Sequence, residues 1–449
     1  MGLRISKNNR HLEKEGSPFF YLADTCWSAF TNIDGPSWEY YLQYRRRQGY
    51  NTLQINILQQ WDASETALDN HPFALDEEGN FNFYEIRDAY FEHAHKMCKR
   101  AKEYGFELAL VVLWCNYVPG TWANKMMRNN TMPYECLEDY VTKVHQTFSS
   151  LNPIYVLSGD TDLDEEISRG YYAKAGGILR ERAPECLQTY HIRGRMVEIP
   201  DEIIDKLDFY MYQTGHSAKP KDLPMTYEMP EYFLKNYPQK PLINAEPCYE
   251  LIGYASRMYG RFHQFDIRRA AWQSLLSGAS AGIAYGAGGI YSWHMYGKKF
   301  APCIGEGFDM PHPWQTALHY PGAWDYGDIR NIFEDNQIHD LIPRQDLLLN
   351  DTEEIRVAMA EGEREGESEK EHEREYEKEH EREARILIYA PENTTIKLNV
   401  NIHDIVRVKI IDLETRHAER GRVYLVDDVC CIEMHTFSKD ALYVVEIKK

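Results

Sequence analysis

The chain of 449 residues lacks several features that would place it in a large class of proteins at once. No apolar run approaches the ~20 residues of a membrane-spanning helix, and residues 1–7 lack the apolar stretch of a secretion signal. No CxxC pair, HEXXH sequence or Walker-type phosphate-binding sequence occurs. We therefore expect a cytoplasmic protein that spans no membrane and uses no metal or other cofactor.

Basic residues are also scarce relative to acidic ones. The 50 Lys and Arg residues face 70 Asp and Glu residues, and the formal net charge is -20. Nucleic acids and anionic lipids attract basic surfaces, so we expect neither as a partner. The nine cysteines are scattered, with only Cys430 and Cys431 adjacent, which indicates a reducing compartment. Composition leaves the oligomeric state open.

Part of the negative charge lies in one low-complexity segment, in which glutamate occupies every odd position from Glu361 to Glu383. The segment has no apolar stripe with which a strand or a helix could dock. We predict a solvated hairpin loop. His372 and His380 within it leave weak metal binding as an alternative.

The first two-thirds of the chain alternates strand-like and helix-like segments. Eight apolar runs predict strands at 19–23, 52–58, 106–114, 154–160, 187–192, 208–213, 241–246 and 282–293. Helical segments lie between them, and a last helix is predicted at 314–320. Eight units of this kind predict a (β/α)8 TIM barrel, an α/β fold, over residues 1–345. The alternative is an open doubly wound sheet, but no GxGxxG follows the first strand.

From about residue 347 the pattern changes to short strands separated by turn residues. This spacing is typical of an all-β sandwich. We predict a small β-sandwich domain at 346–449, with the glutamate-rich segment 361–383 inserted between its first two strands.

Two of the predicted barrel strands deliver a carboxylate at their C-terminal ends. Asp160 ends the run that begins at Ile154, and Glu246 ends the run that begins at Pro241. Groups at these ends point into the active site of a barrel enzyme. A pair of carboxyl groups is what glycosidic cleavage needs, one to protonate the leaving oxygen and one to meet the cationic centre. Gly159 leaves room beside the Asp160 carboxyl.

The other strand ends carry aromatic and polar side chains. Aromatic rings cover the CH faces of sugars, while amide, carboxylate and imidazole groups hold hydroxyls. The predicted substrate-binding residues are Asp24, Trp27, Asn56, Trp114, Asn116, His191, Arg193, Tyr212, Gln213, Tyr249, Trp293 and His294.

Structural roles remain open as alternatives for several of these residues. Asp160 could cap a helix or pair with an arginine, and Glu246 could form a structural salt bridge. Asp24 could cap the first helix. Trp114 and Trp293 could pack in the layers of the barrel.

Six segments of the chain stand out as a set: Pro18–Trp27, Gln48–Gln54, Ser158–Asp160, Asn244–Glu250, Arg268–Ala279 and Gly282–Gly286. Together they resemble the apiosidase-like glycoside hydrolases, glycoside hydrolase family 140. The similarity covers roughly residues 1–345, and the C-terminal part resembles the small β domain of the collagen-binding type that often follows.

The resemblance implies a barrel hydrolase of plant-type glycans that releases apiose in the characterised case. It implies Asp160 as acid/base and Glu246 as nucleophile. We expect an exo-acting, retaining glycosidase of plant-derived oligosaccharides. The alternatives are a glycosidase for another pentoside or hexoside, a catalytically silent carbohydrate-binding protein and a metal-dependent hydrolase.

Overall fold

The computed structural model describes residues 2–61, 63–127, 130–300, 307–361 and 383–448. Its main sheet contains eight parallel strands, and strand one pairs with both strand two and strand eight. Strand five meets strand six through a parallel bridge between His191 and Met211. In chain order the strands are Tyr21–Thr25, Thr52–Asn56, Glu107–Trp114, Ile154–Gly159, Gln188–Thr189, Tyr210–Tyr212, Leu242–Asn244 and Gly282–Tyr285. The predicted TIM barrel is confirmed.

The barrel strands are apolar because both of their faces are covered. Every residue of Glu107–Trp114 and of Ile154–Gly159 is buried, as expected for parallel strands enclosed by helices. The longer barrel helices are Gly35–Arg47, Asp88–Glu103, Leu137–Phe148, Glu166–Arg182, Met225–Asn236, Gln264–Leu276 and Gly322–Asp335. Short helices occupy Ala29–Asn32, Trp122–Met126, Asp201–Ile204 and Trp314–Ala317.

The last barrel helix differs from the prediction. The helix predicted at 314–320 is a single turn, Trp314–Ala317, and the long eighth helix is Gly322–Asp335. Its glycines weaken the helical signal in the sequence. Gly327 permits close packing, because a Cβ atom there would lie 2.0 Å from the carbonyl oxygen of Gln48.

Two small sheets were not predicted. Arg4–Ile5, Leu12–Lys14 and Ser17–Phe19 form a three-stranded antiparallel sheet before the barrel. Phe73–Leu75 and Phe81–Ile86 form a hairpin after the second barrel strand. Among the described residues, no helix is long and apolar enough to cross a membrane.

The C-terminal part is an all-β sandwich, as predicted. Its larger sheet has the strand order Ile342–Pro343, Arg356–Glu361, Glu383–Ala390, Ala441–Lys448, Ile405–Asp412 and Ala418–Arg420. Its smaller sheet has the order Ile396–Leu398, Val429–Ile432 and Val423–Val426. The hairpin loop was predicted for the glutamate-rich segment 361–383, of which residues 362–382 lie outside the described residues.

The larger sheet packs on both faces because its side chains alternate in direction. Leu387 and Val444 belong to the same apolar cluster as the barrel core. Ile386 and Val445 belong to a second cluster that includes Ile396 of the smaller sheet. The sheet is therefore the central layer between the barrel and the smaller sheet.

Buried charges also join the sandwich to the barrel. Arg268 lies on the helix that follows barrel strand seven and is 1% exposed. It donates to Asp440 of the sandwich and, at 2.9 Å, to Asp325 of the last barrel helix. Tyr389 donates a further bond to Asp440 at 3.2 Å. The helix behind the Glu246 strand is thus held from the sandwich side.

Candidate active site

A cavity of about 440 Å³ lies at the C-terminal ends of the barrel strands. This is the end at which barrel enzymes place their active sites. The lining residues are Trp27, Gln60, Trp114, Trp122, Asp160, Arg193, Gly194, Arg195, Gln213, Gly215, His216, Glu246, Tyr249, Ile252, Tyr291 and Phe308.

The Glu246 carboxylate is held between two imidazole rings. Its Oε1 lies 2.8 Å from His216 Nε2, and its Oε2 lies 3.4 Å from His191 Nε2. Burial alone raises the pKa of Glu246. The hydrogen bond from His216, the two neighbouring imidazole rings and the hydroxyl of Tyr249 outweigh burial and lower the pKa of Glu246 below its ordinary value. Glu246 is therefore ionised at neutral pH.

Asp160 follows the fourth barrel strand directly and has a left-handed backbone, with φ +48°. Its Oδ1 accepts a hydrogen bond from Gln213 Nε2 at 2.6 Å. Its carbonyl oxygen accepts a bond from Trp122 Nε1 at 2.7 Å. These contacts fix both the side chain and the main chain of Asp160 on the cavity wall.

The fully buried ring of His191 lies between the two carboxylate residues. Its Nδ1 accepts a hydrogen bond from the main-chain N–H of Asp160 at 3.1 Å. Since Nδ1 is an acceptor, the neutral ring carries its proton on Nε2, which faces Glu246. Burial lowers the pKa of His191, although Glu246 acts in the opposite direction. The ring is therefore neutral at neutral pH.

Aromatic side chains form one wall of the cavity. Trp27 donates from Nε1 to the Tyr249 hydroxyl at 3.0 Å, and its ring lies 5.5 Å from that of Trp114. The sequence suggested that Gly159 leaves room beside the Asp160 carboxyl, but the structure shows a different use of this space. A Cβ atom on Gly159 would lie 2.0 Å from Cε3 of Trp114, so the indole fills that space. The wall offers apolar surface of the kind that contacts sugar CH faces.

Seven of the predicted site residues come together in this cavity. They are Asp160, Glu246, Trp27, Trp114, Arg193, Gln213 and Tyr249. Arg193 is partly exposed, and its Nη1 lies 3.7 Å from Asp162 Oδ2. The other seven predicted residues are absent from the described lining of the cavity. They are Asp24, Asn56, Asn116, His191, Tyr212, Trp293 and His294.

Asp24 is placed in the barrel wall and not in the cavity. It is fully buried, and its Oδ2 accepts bonds from Tyr41 at 2.7 Å and from Arg45 at 2.6 Å. Burial raises the pKa of Asp24, while the Arg45 charge opposes that rise. The prediction of Asp24 as a sugar ligand is replaced by a buried ion pair.

Tyr212 and Gln213 are neighbours at the end of strand six, so they point in opposite directions. Gln213 reaches Asp160 in the cavity. The Tyr212 ring instead lies 5.7 Å from that of Phe233, on the helix Met225–Asn236. Tyr212 therefore packs between sheet and helix.

The two residues predicted after strand eight also have packing or supporting contacts. Trp293 is 1% exposed and stacks on Trp314, with ring centroids 4.4 Å apart. His294 Nδ1 lies 2.9 Å from the Ser64 hydroxyl. Neither side chain is placed to contact a sugar in the cavity.

The two predicted asparagines lie behind the cavity surface. Asn56 donates to Gln60 Oε1 at 2.8 Å, and Gln60 itself lines the cavity. Asn116 is 2% exposed, in a short turn after strand three. Asn56 thus supports a lining residue without reaching the cavity.

Sequence reasoning missed several lining residues because they follow the strands at a greater distance. His216 comes four residues after the end of strand six. Trp122 begins the short helix Trp122–Met126, and Tyr291 and Phe308 lie on the long segment after strand eight. A sequence signal for His216 did exist, because His216 lies only three residues after Gln213, which was itself predicted as a site residue.

No group of three or more His, Cys, Asp and Glu side chains within the described parts of the chain is arranged to hold a metal ion. The polar groups converging on the cavity include the two carboxylates, two amides, imidazole rings and guanidinium groups. Such a set can transfer protons and stabilise a cation beside an ionised carboxylate.

The barrel and its carboxylate-bearing cavity are those of a glycoside hydrolase. The chain belongs to the apiosidase-like family, whose catalytic domain, described as "Apiosidase-like, catalytic domain", matches residues 6–340. The protein is accordingly a hydrolase of glycosidic bonds with a carbohydrate substrate. The comparison with curated proteins gives no significant match.

Solved structures show the same fold at low sequence identity. One protein described as a glycoside hydrolase has a TM-score of 0.75 and 18% identity, with 100% of this chain and 97% of that chain covered. A glycoside hydrolase family 5 protein from Bacteroides vulgatus has a TM-score of 0.74 and 19% identity, with 100% and 93% covered. The fold is therefore shared over this whole chain and over more than nine-tenths of each of these structures.

Proposed function

We propose that the protein is a retaining, exo-acting glycosidase in which Glu246 is the nucleophile and Asp160 is the acid/base. The observation that carries this proposal is the clamped Glu246 carboxylate, which stays ionised beside an aromatic wall. Asp160 lines the same cavity, where its carboxyl is oriented by Gln213. One group can attack the anomeric carbon while the other protonates the leaving oxygen.

The proposal of retention follows the family resemblance, which implies Asp160 as acid/base and Glu246 as nucleophile, and both residues line the cavity. The proposal of exo action is supported by the size of the cavity. The cavity of about 440 Å³ is in the range of small-molecule sites, roughly 300–1,000 Å³. A cavity of this size suits a terminal sugar and its neighbour better than a long polymer.

In the proposed first step, Glu246 attacks the anomeric carbon and the Asp160 proton moves to the departing glycosidic oxygen. In the second step, Asp160 removes a proton from water, and the resulting oxygen displaces Glu246 from the sugar. Gln213 donates to Oδ1 of Asp160 and so orients this carboxyl on the cavity wall. The Trp27 and Trp114 wall excludes water from one side of the sugar.

Apiose from plant-derived oligosaccharides is the substrate that family membership favours, and other pentosides or hexosides are the nearest alternatives. We further propose action in the cytoplasm on imported oligosaccharides. The eight described cysteines are all buried, and no disulfide joins two of them, which suits a reducing compartment. Fractionation of the source cells should recover the protein with cytoplasmic markers, and recovery outside the cell would contradict this assignment.

We propose the division into a barrel at 1–345 and a sandwich at 346–449 as the functional one. Strand Ile342–Pro343 already pairs with the sandwich sheet, so the structural transition lies close to this boundary. Limited proteolysis followed by mass spectrometry should yield fragments that end near residue 345. Cleavage inside the barrel instead would contradict the division.

The experiment that tests the proposed function is hydrolysis of an aryl-glycoside panel that includes an apioside and an arabinofuranoside. Wild type, Glu246→Gln and Asp160→Asn are compared, with Glu250→Gln as the matched control for the loss of a buried carboxylate outside the cavity lining. We expect Glu246→Gln to lose at least about 10³-fold in kcat and the control to remain active.

Proton NMR of the first product identifies the anomer and hence the stereochemical course. Release of the same anomer as the substrate supports retention. Release of the opposite anomer would show that the enzyme inverts and would overturn the proposal of retention. Equal activity of wild type and Glu246→Gln would refute the site assignment. If the enzyme hydrolyses another glycoside of the panel and not the apioside, the sugar of that glycoside becomes the proposed substrate in place of apiose.

A further inference from the structure

His191 contacts both of the residues assigned to catalysis, although it lies outside the described lining of the cavity. We propose that His191 is a positioning residue that sets the main chain of Asp160 with one ring nitrogen and restrains the Glu246 carboxylate with the other. This inference rests on the proposed function for its catalytic consequence. It replaces the prediction of His191 as a sugar ligand.

The ring is itself fixed by its surroundings. His191 is 0% exposed, and its ring lies 5.7 Å from that of Trp27 and 6.2 Å from that of Trp114. Its main-chain N–H donates to Ser158 at 3.3 Å, and its carbonyl oxygen accepts from the Ser158 hydroxyl at 3.2 Å. Strand four therefore holds the residue, and two indoles limit rotation of its ring.

One nitrogen stabilises an unusual backbone conformation. Asp160 has φ +48°, and its N–H donates to His191 Nδ1 at 3.1 Å. A left-handed residue outside glycine costs free energy unless its surroundings fix it. Because this bond directs the Asp160 amide toward the ring, it also fixes where the Asp160 side chain leaves the backbone.

The other nitrogen acts on Glu246. With Nδ1 as acceptor, the proton of the neutral ring is on Nε2, 3.4 Å from Glu246 Oε2. Neither Nε2 nor Oε2 has a hydrogen-bond partner among the described residues. A small movement of the carboxylate toward the ring would complete the contact. The Nε2–H group thus opposes rotation of Glu246 away from its bond with His216.

The two contacts cannot both survive protonation of the ring. A positively charged imidazole would carry a proton on Nδ1 and would oppose the N–H of Asp160. Among the described residues, the charged group facing this ring is Glu246, on the Nε2 side, and His216 lies beyond that carboxylate. The Asp160 carboxyl instead contacts Gln213. Neutral His191 is therefore the form that supports both catalytic residues.

Two variants separate the two contacts. In His191→Asn, the side-chain carbonyl can replace Nδ1 as acceptor for Asp160 but is too short for Glu246. In His191→Gln, the side-chain amide can replace Nε2–H near Glu246 but leaves Nδ1 unreplaced. His435 provides the matched control, because its buried ring also accepts a main-chain N–H, from Phe437, on Nδ1 at 3.1 Å.

The variants are assayed on two aryl glycosides of the sugar that wild type hydrolyses, one with an activated dinitrophenol and one with an unactivated phenol as leaving group. We expect His191→Gln to lose at least about 10-fold more kcat/KM on the unactivated substrate, since only that substrate needs the acid. We expect His191→Asn to lose similar factors on both. The Asn and Gln variants of His435 should keep wild-type kcat/KM on both substrates.

Nitrogen-15 NMR of histidine-labelled wild type gives a second readout that needs no substrate. A ring protonated on Nε2 supports the inference, and a ring protonated on Nδ1 overturns it. Wild-type kcat/KM for both His191 variants overturns it as well, as do losses that match those of the His435 variants. Failure of wild type to hydrolyse any glycoside removes the proposed catalytic roles, while the NMR spectrum still decides the geometry.

Discussion

Glu250→Gln should remove a pH-dependent loss of stability from the barrel. Glu250 is 1% exposed, its Oε2 accepts from Tyr285 at 2.7 Å, and its Oε1 accepts from the Gly322 N–H at 3.1 Å. Burial raises the pKa of Glu250 to about 7, from 4.5, against the opposing effects of these bonds and of the Arg45 charge. Asp325 acts in the same direction as burial.

The direction of this change in stability with pH follows because the folded protein binds the Glu250 proton more tightly than the unfolded chain does. Below the unfolded pKa of 4.5 both states are protonated, and the stabilising effect of the proton is fully present. As the pH rises from 4.5 toward about 7, the unfolded chain releases this proton while the folded protein keeps it, so stability falls until the folded carboxyl has also ionised. At about 1.4 kcal/mol per pH unit, the difference between the two pKa values corresponds to about 3 kcal/mol.

Urea unfolding followed by tryptophan fluorescence at pH 4.5 and pH 8 measures this loss. Wild type should lose about 3 kcal/mol more unfolding free energy over this range than Glu250→Gln. The raised pKa values of Asp24 and Asp325 are present in both proteins, so the difference reports Glu250 together with its coupling to Asp325. Glu77→Gln, at an exposed position, should follow wild type. Parallel pH profiles for wild type and Glu250→Gln would refute the reasoning.

Two further substitutions test the packing of the site and its support. Gly159→Ala should destabilise the protein by about 2 kcal/mol and raise KM, because the new Cβ atom would lie 2.0 Å from Trp114. Thermal unfolding measures the loss of stability and steady-state kinetics measure KM, and unchanged values of both would contradict the prediction. Asp440→Asn should lower the free energy of unfolding by about 3–5 kcal/mol, measured by denaturant unfolding, because it breaks the buried ion pair with Arg268. Asp328→Asn, which breaks a more exposed ion pair, should lower it by no more than about 1 kcal/mol. Equal costs for the two would contradict the role given to Asp440.

The barrel was predictable because its strands carry a local signal. Runs such as Glu107–Trp114 are apolar throughout, since both faces are covered. The last helix was not predictable at its true position, because Gly322 and Gly327 weaken helix propensity while serving close packing. Such packing depends on residues distant in sequence, such as Gln48, and no local pattern reports it.

Prediction of the site succeeded where the direction of a side chain follows from its strand position. Asp160 and Gln213 meet in the cavity from the ends of strands four and six, which lie on either side of strand five. Asp24 also lies on a barrel strand, yet Arg45 reaches it through the barrel wall. Only the folded chain reveals such a partner. His216 was missed because the position of a loop residue depends on the path of the loop.

The left-handed backbone of Asp160 restricts the choice of acid at this position. Aspartate and asparagine adopt φ near +48° far more readily than glutamate, because their short side chains can bond locally. Asp160→Asn therefore changes the chemistry and leaves the turn intact, whereas Asp160→Glu changes both. An engineer who wished to lengthen the acid by one methylene would first have to rebuild the turn around Gly159 and Thr161. At this position, backbone geometry limits the available catalytic side chains before their acidity is considered.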